Sequence, residues 1–189
     1  MASLVTRTEP PQVFTEIGRH PRLFRAWLPF AGTLLFRGAL PRVDAELVIL
    51  RTARNAGCKY EWEQHVELAA RAGLGDAQIA AISRGAEGEV WTARQWLLLA
   101  AVDQLHANRC VDIATRADLD DELSSKQFVE LCFLVGHYEM LAMLLNSRGV
   151  EPDSPIAPGR SDLGHWSGAP GERTLDTLFN LTEGEPFTE

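Results

Sequence analysis

Three features of the chain predict an all-α fold. Apolar residues recur at helical spacing in several separate stretches, helix-capping residues stand at the boundaries of those stretches, and no run of alternating Val, Ile and Thr marks a strand. No internal repeat stands out.

The elements follow in order. Residues 1–20 form an N-terminal arm rich in Pro, Arg and Thr. From Pro21 to Phe36 a dense apolar set, including Leu23, Phe24, Trp27, Phe30 and Leu34, is interrupted by Pro29, which predicts two short helices. Leu40-Pro41-Arg42 leads into a helix over 45–54 with Asp44 as its cap. Asn55-Ala56-Gly57 is a short link that folds a second helix, 59–72, back on the first, and Gly73 suits a left-handed cap at its end. Asp76 starts a short helix through Ile82, broken by Gly85 and Gly88.

A longer helix over 92–107 turns Trp96, Leu97, Leu99, Ala100, Ala101 and Leu105 toward the core. Residues 112–123 read as a turn-rich connection with a short helix. Ser124 and Gln127 then make a capping box for a helix over 125–147 that is apolar nearly all round. Such a helix is covered on every side, so it is either the centre of the domain or partly a subunit interface. Beyond Val150 the chain becomes rich in Pro and Gly. Trp166, Leu175, Leu178 and Phe179 are expected to anchor this tail on the domain or a neighbouring subunit, with one helical turn over 176–181. The division is therefore an arm (1–20), a helical domain (21–150) and a tail (151–189).

Composition narrows the function. The 189 residues suffice for one domain with a full core, and 46% hydrophobic with 23% charged residues is ordinary for a soluble globular protein. A formal charge of −8, a pI near 5.2 and no run of Lys or Arg argue against a nucleic-acid surface. Cys58, Cys110 and Cys132 are too few and too scattered for a disulfide framework. MASLVTRTEPPQ has no apolar signal core, so a cytoplasmic protein is expected. The apolar stretch 128–145 contains Glu130, His137 and Glu139, which favours a buried helix over a membrane span.

Candidate chemistry concentrates in ELVILRTARNAGCKYEWEQH, residues 46–65. Glu46, Cys58, Glu61 and His65 are separated by 12, 3 and 4 residues. On a helix, Glu61 and His65 lie one turn apart on one face, the alternative being a plain helix-surface pair; Cys58 stands a turn earlier, either a small buried filler or a thiol whose pKa the helix start would lower. Glu46 shares an apolar face with Ile49, Leu50 and Ala53, so it is either paired, with Arg42, Arg51 or Arg54, or has a raised pKa. Two carboxylates, an imidazole and a thiol suit proton transfer beside a carbonyl. Glu61 would be the general base or the charge partner of His65, and Glu46 would hold a proton or orient His65. Tyr60, Trp62 and His137 are candidates for substrate binding; for Tyr60 and Trp62 the alternative is core packing, and for His137 a satisfied core histidine. His106 is a weaker candidate near a helix end. There is no HExxH, and no metal site is expected.

The same segment resembles the carboxymuconolactone decarboxylase-like superfamily, which also contains the AhpD alkylhydroperoxidases. His20-Pro21 with Trp27, Phe30 and Gly38, Asp103-Gln104-Leu105-His106, and Val135-Gly136-His137-Tyr138-Glu139-Met140 with Asn146 resemble its Tyr-Glu-Trp-x-x-His branch. The resemblance spans residues 10–155 and implies an AhpD-like helical domain that assembles as a homo-oligomer, a trimer or a hexamer built from trimers. Peroxidase members carry Glu-x11-Cys-x-x-Cys-x3-His. Glu46, Cys58 and His65 match that motif, while Glu61 stands at the second cysteine. Without a local resolving thiol, dithiol peroxidase chemistry is not expected. The resemblance instead implies a cofactor-independent acid–base enzyme, decarboxylase-like, acting on a small organic acid or lactone. A thiol-dependent antioxidant using Cys58 with an external thiol, and a non-catalytic oligomeric binding protein, are the alternatives.

Overall fold

The computed structural model describes residues 10–87 and 89–152. Among these there are eight α-helices, one 3-10 turn and no strand. The expectations for the tail beyond 152 and for Gly88 lie outside the described residues.

The chain opens with a helix that composition did not reveal. α1 (Gln12–Gly18) lies within the stretch read as an arm, and it buries Val13, Phe14 and Ile17. Phe14 meets the rings of Phe24 and Trp27 on the next helix edge-on, at 5.2 and 5.9 Å. That helix, α2 (Pro21–Phe36), runs unbroken through Pro29, where two short helices were expected. A proline inside a helix removes one backbone hydrogen bond and costs about 3 kcal/mol. Burial of Trp27, Ala31 and Leu34 along one face offsets that cost.

α3 (Arg42–Asn55) begins before the expected cap. The Pro41 carbonyl accepts from the backbone N–H groups of Asp44 and Ala45, both at 3.0 Å, so the helix is already under way at Asp44. The Asp44 carboxylate is thereby freed to pair with Arg94 Nε at 2.7 Å. α3 is the central helix. It packs on α4 (Lys59–Ala72), α6 (Ala93–Asn108) and α8 (Ser125–Arg148), and Ala45 to Leu50 are buried without a break. Arg51 pins it to α6 through two bonds to Asp103, 2.6 and 2.9 Å, and to the Ile82 carbonyl at 2.7 Å.

α4 ends as expected on Gly73, whose φ of 111° only glycine adopts readily. α5 (Asp76–Ala81) and the 3-10 turn Ile82–Arg84 follow. In α6 the inward stripe is Leu97, Leu98, Leu99, Ala101 and Val102; Trp96, expected in the core, falls on the opposite side and is 47% exposed. α7 (Ile113–Glu122) is a full helix rather than a turn-rich link, started by Asp112, which accepts from Thr115 N at 2.8 Å.

α8 carries the expected Ser124–Gln127 capping box and ends on Gly149. By length and composition it could cross a membrane, but half of its apolar window is buried within the fold. It is not the central helix: Val129, Phe133, Met140 and Met143 lie exposed. Glu130 on α8 accepts from the backbone N–H groups of Ala39 and Leu40, fixing the turn between α2 and α3. Its carboxylate fills the space where a Cβ on Gly38 would stand, which explains that glycine.

Candidate active site

Glu46 lies in the middle of the buried run on α3, and the tight link after Asn55 brings α4 back across it. The result is a short polar chain in an apolar interior. His65 Nδ1 donates to Glu46 Oε2 at 2.8 Å. On the other side of the ring, Tyr138 Oη donates to His65 Nε2 at 3.0 Å. Glu46 Oε1 meets the Arg42 guanidinium as a charge contact, without a well-aligned hydrogen bond. Arg42 is partly exposed and anchored on the Leu35 carbonyl at 2.6 Å. Glu46, His65 and Tyr138 are at most 1% exposed. Of the three arginines considered for Glu46, Arg42 is thus the one that pairs with it, one helical turn away.

This arrangement sets the tautomer. Glu46 Oε2 accepts the Nδ1–H of His65, which leaves the Nε2 lone pair toward Tyr138. Burial, with the charges of Glu46 and Glu61, holds the Tyr138 phenol well above its ordinary range, so it keeps its proton.

Glu61 is also fully buried; its carboxyl oxygens meet no well-aligned N–H or O–H donor, and the Cys58 thiol is the hydrogen-bonding group beside them. It shares a helix with His65 but does not bond to it; His65 turns to Glu46 and Tyr138 instead. Burial raises the Glu61 pKa well above its ordinary value, and the nearby Cys58 thiol offsets only part of that effect. Glu61 is therefore kept as the neutral acid.

Cys58 caps the start of α4, but its pKa moves opposite to the expectation. Burial is the largest effect and the Glu61 charge adds to it; the backbone N–H groups of Glu61 and Tyr60 pull the other way and lose. The thiol stays protonated. A helix start lowers a thiol pKa only where solvent or a cation also helps, and Cys58 is 0% exposed.

His137, one residue before Tyr138 on α8, stacks on Trp27 with ring centres 5.9 Å apart and meets the edge of Phe30 at 5.3 Å. Its Nδ1 is buried and unpartnered, as is Trp27 Nε1. It is therefore not a satisfied core histidine. Burial, with the His65 charge adding to it, pushes its pKa down to about 4.

Tyr60 and Trp62 do not face one space. Tyr60 packs with α1, its hydroxyl accepting from Val13 N at 3.2 Å, while Trp62 packs in the main core around α3. His106 lies elsewhere, with Nδ1 on Glu139 Oε1 at 2.7 Å. Tyr138 is a site residue that spacing did not single out. The available signal was the pairing of Tyr138 with His137 on an otherwise apolar helix.

Residues 21–104 match the model of the carboxymuconolactone decarboxylase family. That match, over somewhat less than half of the chain, supports the carboxymuconolactone decarboxylase-like/AhpD-like superfamily. Among solved structures, it is similar to a protein of unknown function from Agrobacterium tumefaciens described as a putative antioxidant defence protein AhpD. The two share 21% identity with a TM-score of 0.65, over 73% of this chain and 96% of that one. An uncharacterized peroxidase-related protein with an alkylhydroperoxidase AhpD core, from Ralstonia eutropha JMP134, shares 16% identity with a TM-score of 0.65, over 72% and 74%. At these identities the likeness is one of fold. No curated protein matches the chain significantly. The Arg42–Glu46–His65–Tyr138 chain runs from the partly exposed end of α3 to the buried face of α8.

Proposed function

We propose that the protein is a cofactor-independent acid–base enzyme acting on a small organic acid or lactone, by decarboxylation, isomerisation or lactone chemistry. The observation that carries this reading is the buried carboxyl of Glu61, met only by the Cys58 thiol, set in the same buried region as the Glu46–His65–Tyr138 chain. A buried carboxyl so poorly partnered is costly unless a ligand uses it.

In a decarboxylation, loss of carbon dioxide leaves an electron pair delocalised as an enolate. The Tyr138 hydroxyl would turn its one proton from His65 Nε2 to the enolate oxygen, and Glu61 would deliver its proton to carbon. Glu61 then regains a proton from water as product leaves. In an enolisation, His65 Nε2 accepts a proton relayed through Tyr138, and Glu46 with Arg42 stabilises the imidazolium that forms. The substrate would pass between Phe30 and His137, where α2 meets α8. Trp62 and Tyr60 would support the walls from behind.

The thiol reading has less support, because peroxide chemistry needs a thiolate and Cys58 is held as the thiol. The test is turnover of a panel of β-keto acids and unsaturated lactone acids. Loss of activity in Glu61→Gln and His65→Gln, with Cys58→Ala still active, supports the reading. Peroxide consumption with an added thiol reductant, abolished by Cys58→Ala, would replace it.

A homo-oligomer, a trimer or a hexamer built from trimers, belongs to the same proposal. Leu23, Phe30 and Phe36 on α2 and Val129, Phe133, Met140 and Met143 on α8 are exposed, and Phe30 touches Phe133. A monomer by light scattering at micromolar concentration would overturn it. A cytoplasmic setting fits three free cysteines, the form a reducing compartment maintains.

A further inference from the structure

The face of α8 opposite His137 and Tyr138 borders a cavity of about 410 Å³ that plays no part in the site above. Leu105, Val111, Phe128 and Val135 supply apolar walls, and Arg109 and Glu139 stand among its lining residues. We propose that this cavity is a second ligand site, for a small apolar carboxylate.

Two independent observations carry the proposal. The first is Gly136. It lines the cavity from within a 24-residue helix, and an added Cβ would meet nothing within 4 Å. A glycine inside a helix is less favourable than alanine, and no neighbour in the fold requires its absence of a side chain. What its smallness preserves is the open volume of the cavity, which lies within the range of small-molecule pockets.

The second is the guanidinium of Arg109. Its Nη1 donates to Glu139 Oε2 at 2.6 Å, while His106 takes the other carboxylate oxygen. Glu139 is thereby engaged on both oxygens and acts as a clamp that orients Arg109. Among the described residues, the Nε–Nη2 edge of Arg109 takes no partner. That edge presents two parallel donors, the geometry that binds a carboxylate bidentately. An apolar body between Phe128 and Val135, with its carboxylate on Arg109, satisfies every wall.

The probe is octanoate, titrated calorimetrically into the full chain, with octanamide as the neutral analogue. Saturable binding is expected for octanoate, with octanamide at least tenfold weaker. Arg109→Asn, chosen because asparagine tolerates the left-handed backbone at φ 61°, should weaken octanoate at least tenfold. Gly136→Leu should fill the cavity and abolish binding while leaving the melting temperature unchanged or higher. His65→Gln should bind as the wild type does, which separates this cavity from the candidate active site. No saturable binding to the wild type, equal affinity for octanamide, binding that survives both cavity substitutions, or binding lost in His65→Gln would each overturn the proposal.

Discussion

Replacing Glu61 with methionine should make the protein more stable and inactive at once. Glu61 is fully buried, its carboxyl oxygens meet no well-aligned N–H or O–H donor, and burial raises its pKa well above 4.5. An unsatisfied buried polar group costs about 1–3 kcal/mol, and methionine keeps the side-chain length while removing it. A gain of about 1–3 kcal/mol corresponds to a rise in melting temperature of roughly 2–10 °C for a domain of this size. The pH dependence has a definite sign. With the folded pKa above the unfolded one, the folded state binds the extra proton, so stability falls as pH rises above about 4.5 toward the folded value. Methionine has no such proton, so its advantage over the wild type should widen from pH 5 to pH 8. Urea unfolding at both pH values measures this, with turnover followed in parallel. A Glu61→Met protein less stable than wild type at both pH values, or an advantage that does not grow with pH, would refute the account of Glu61 as a neutral, poorly partnered acid. Glu61→Gln serves as the control: it keeps a buried polar group in place and should show no gain.

Tyr138→Phe should cost about 1–2 kcal/mol, because it leaves His65 Nε2 buried without its partner at 3.0 Å, and it should also depress turnover; urea unfolding and kinetics check both. His137 is pushed down to about 4, so between that value and about 6.5 the unfolded chain binds the extra proton and stability falls as pH drops. The loss amounts to at most about 3 kcal/mol. His137→Phe should flatten that part of the stability–pH curve, measured by thermal melts from pH 4 to 7; an unchanged slope would count against a buried neutral imidazole. Glu130→Ala removes the acceptor for Ala39 N and Leu40 N and should destabilise by about 2–4 kcal/mol in denaturant titration, with the helix content at low denaturant retained.

Local signals in the sequence predicted much of this molecule correctly. Helical spacing, the Ser124–Gln127 box and the Gly73 and Gly149 ends are matters of nearest neighbours along the chain, and α4, α6 and α8 follow them closely. The reactive cluster was legible for the same reason: Cys58, Glu61 and His65 share one helix start, and Glu46 stands out as a glutamate among Ile49, Leu50 and Ala53. The absence of the second cysteine is plain only against the peroxidase motif that this segment resembles.

Long-range packing decided the rest. Pro29 marks a break by local rules, yet tertiary burial of Trp27 and Leu34 carries α2 through it. α1 is too short and too polar to announce itself, and it forms because Val13, Phe14 and Ile17 find Trp27 and Tyr60. Cys58 looked activated by its helix start; its burial, a property of the whole fold, reversed the direction of its pKa. Glu61 and His65 looked like each other's partners at four residues apart. The crossing of α3, α4 and α8 instead gave His65 to Glu46 and Tyr138, and left Glu61 with its proton beside Cys58. The sequence by itself determined which reactive groups exist and on which helices they ride. Only the tertiary structure decided which of them pair and which keep their protons, because both depend on neighbours tens of residues away and on the water those neighbours exclude.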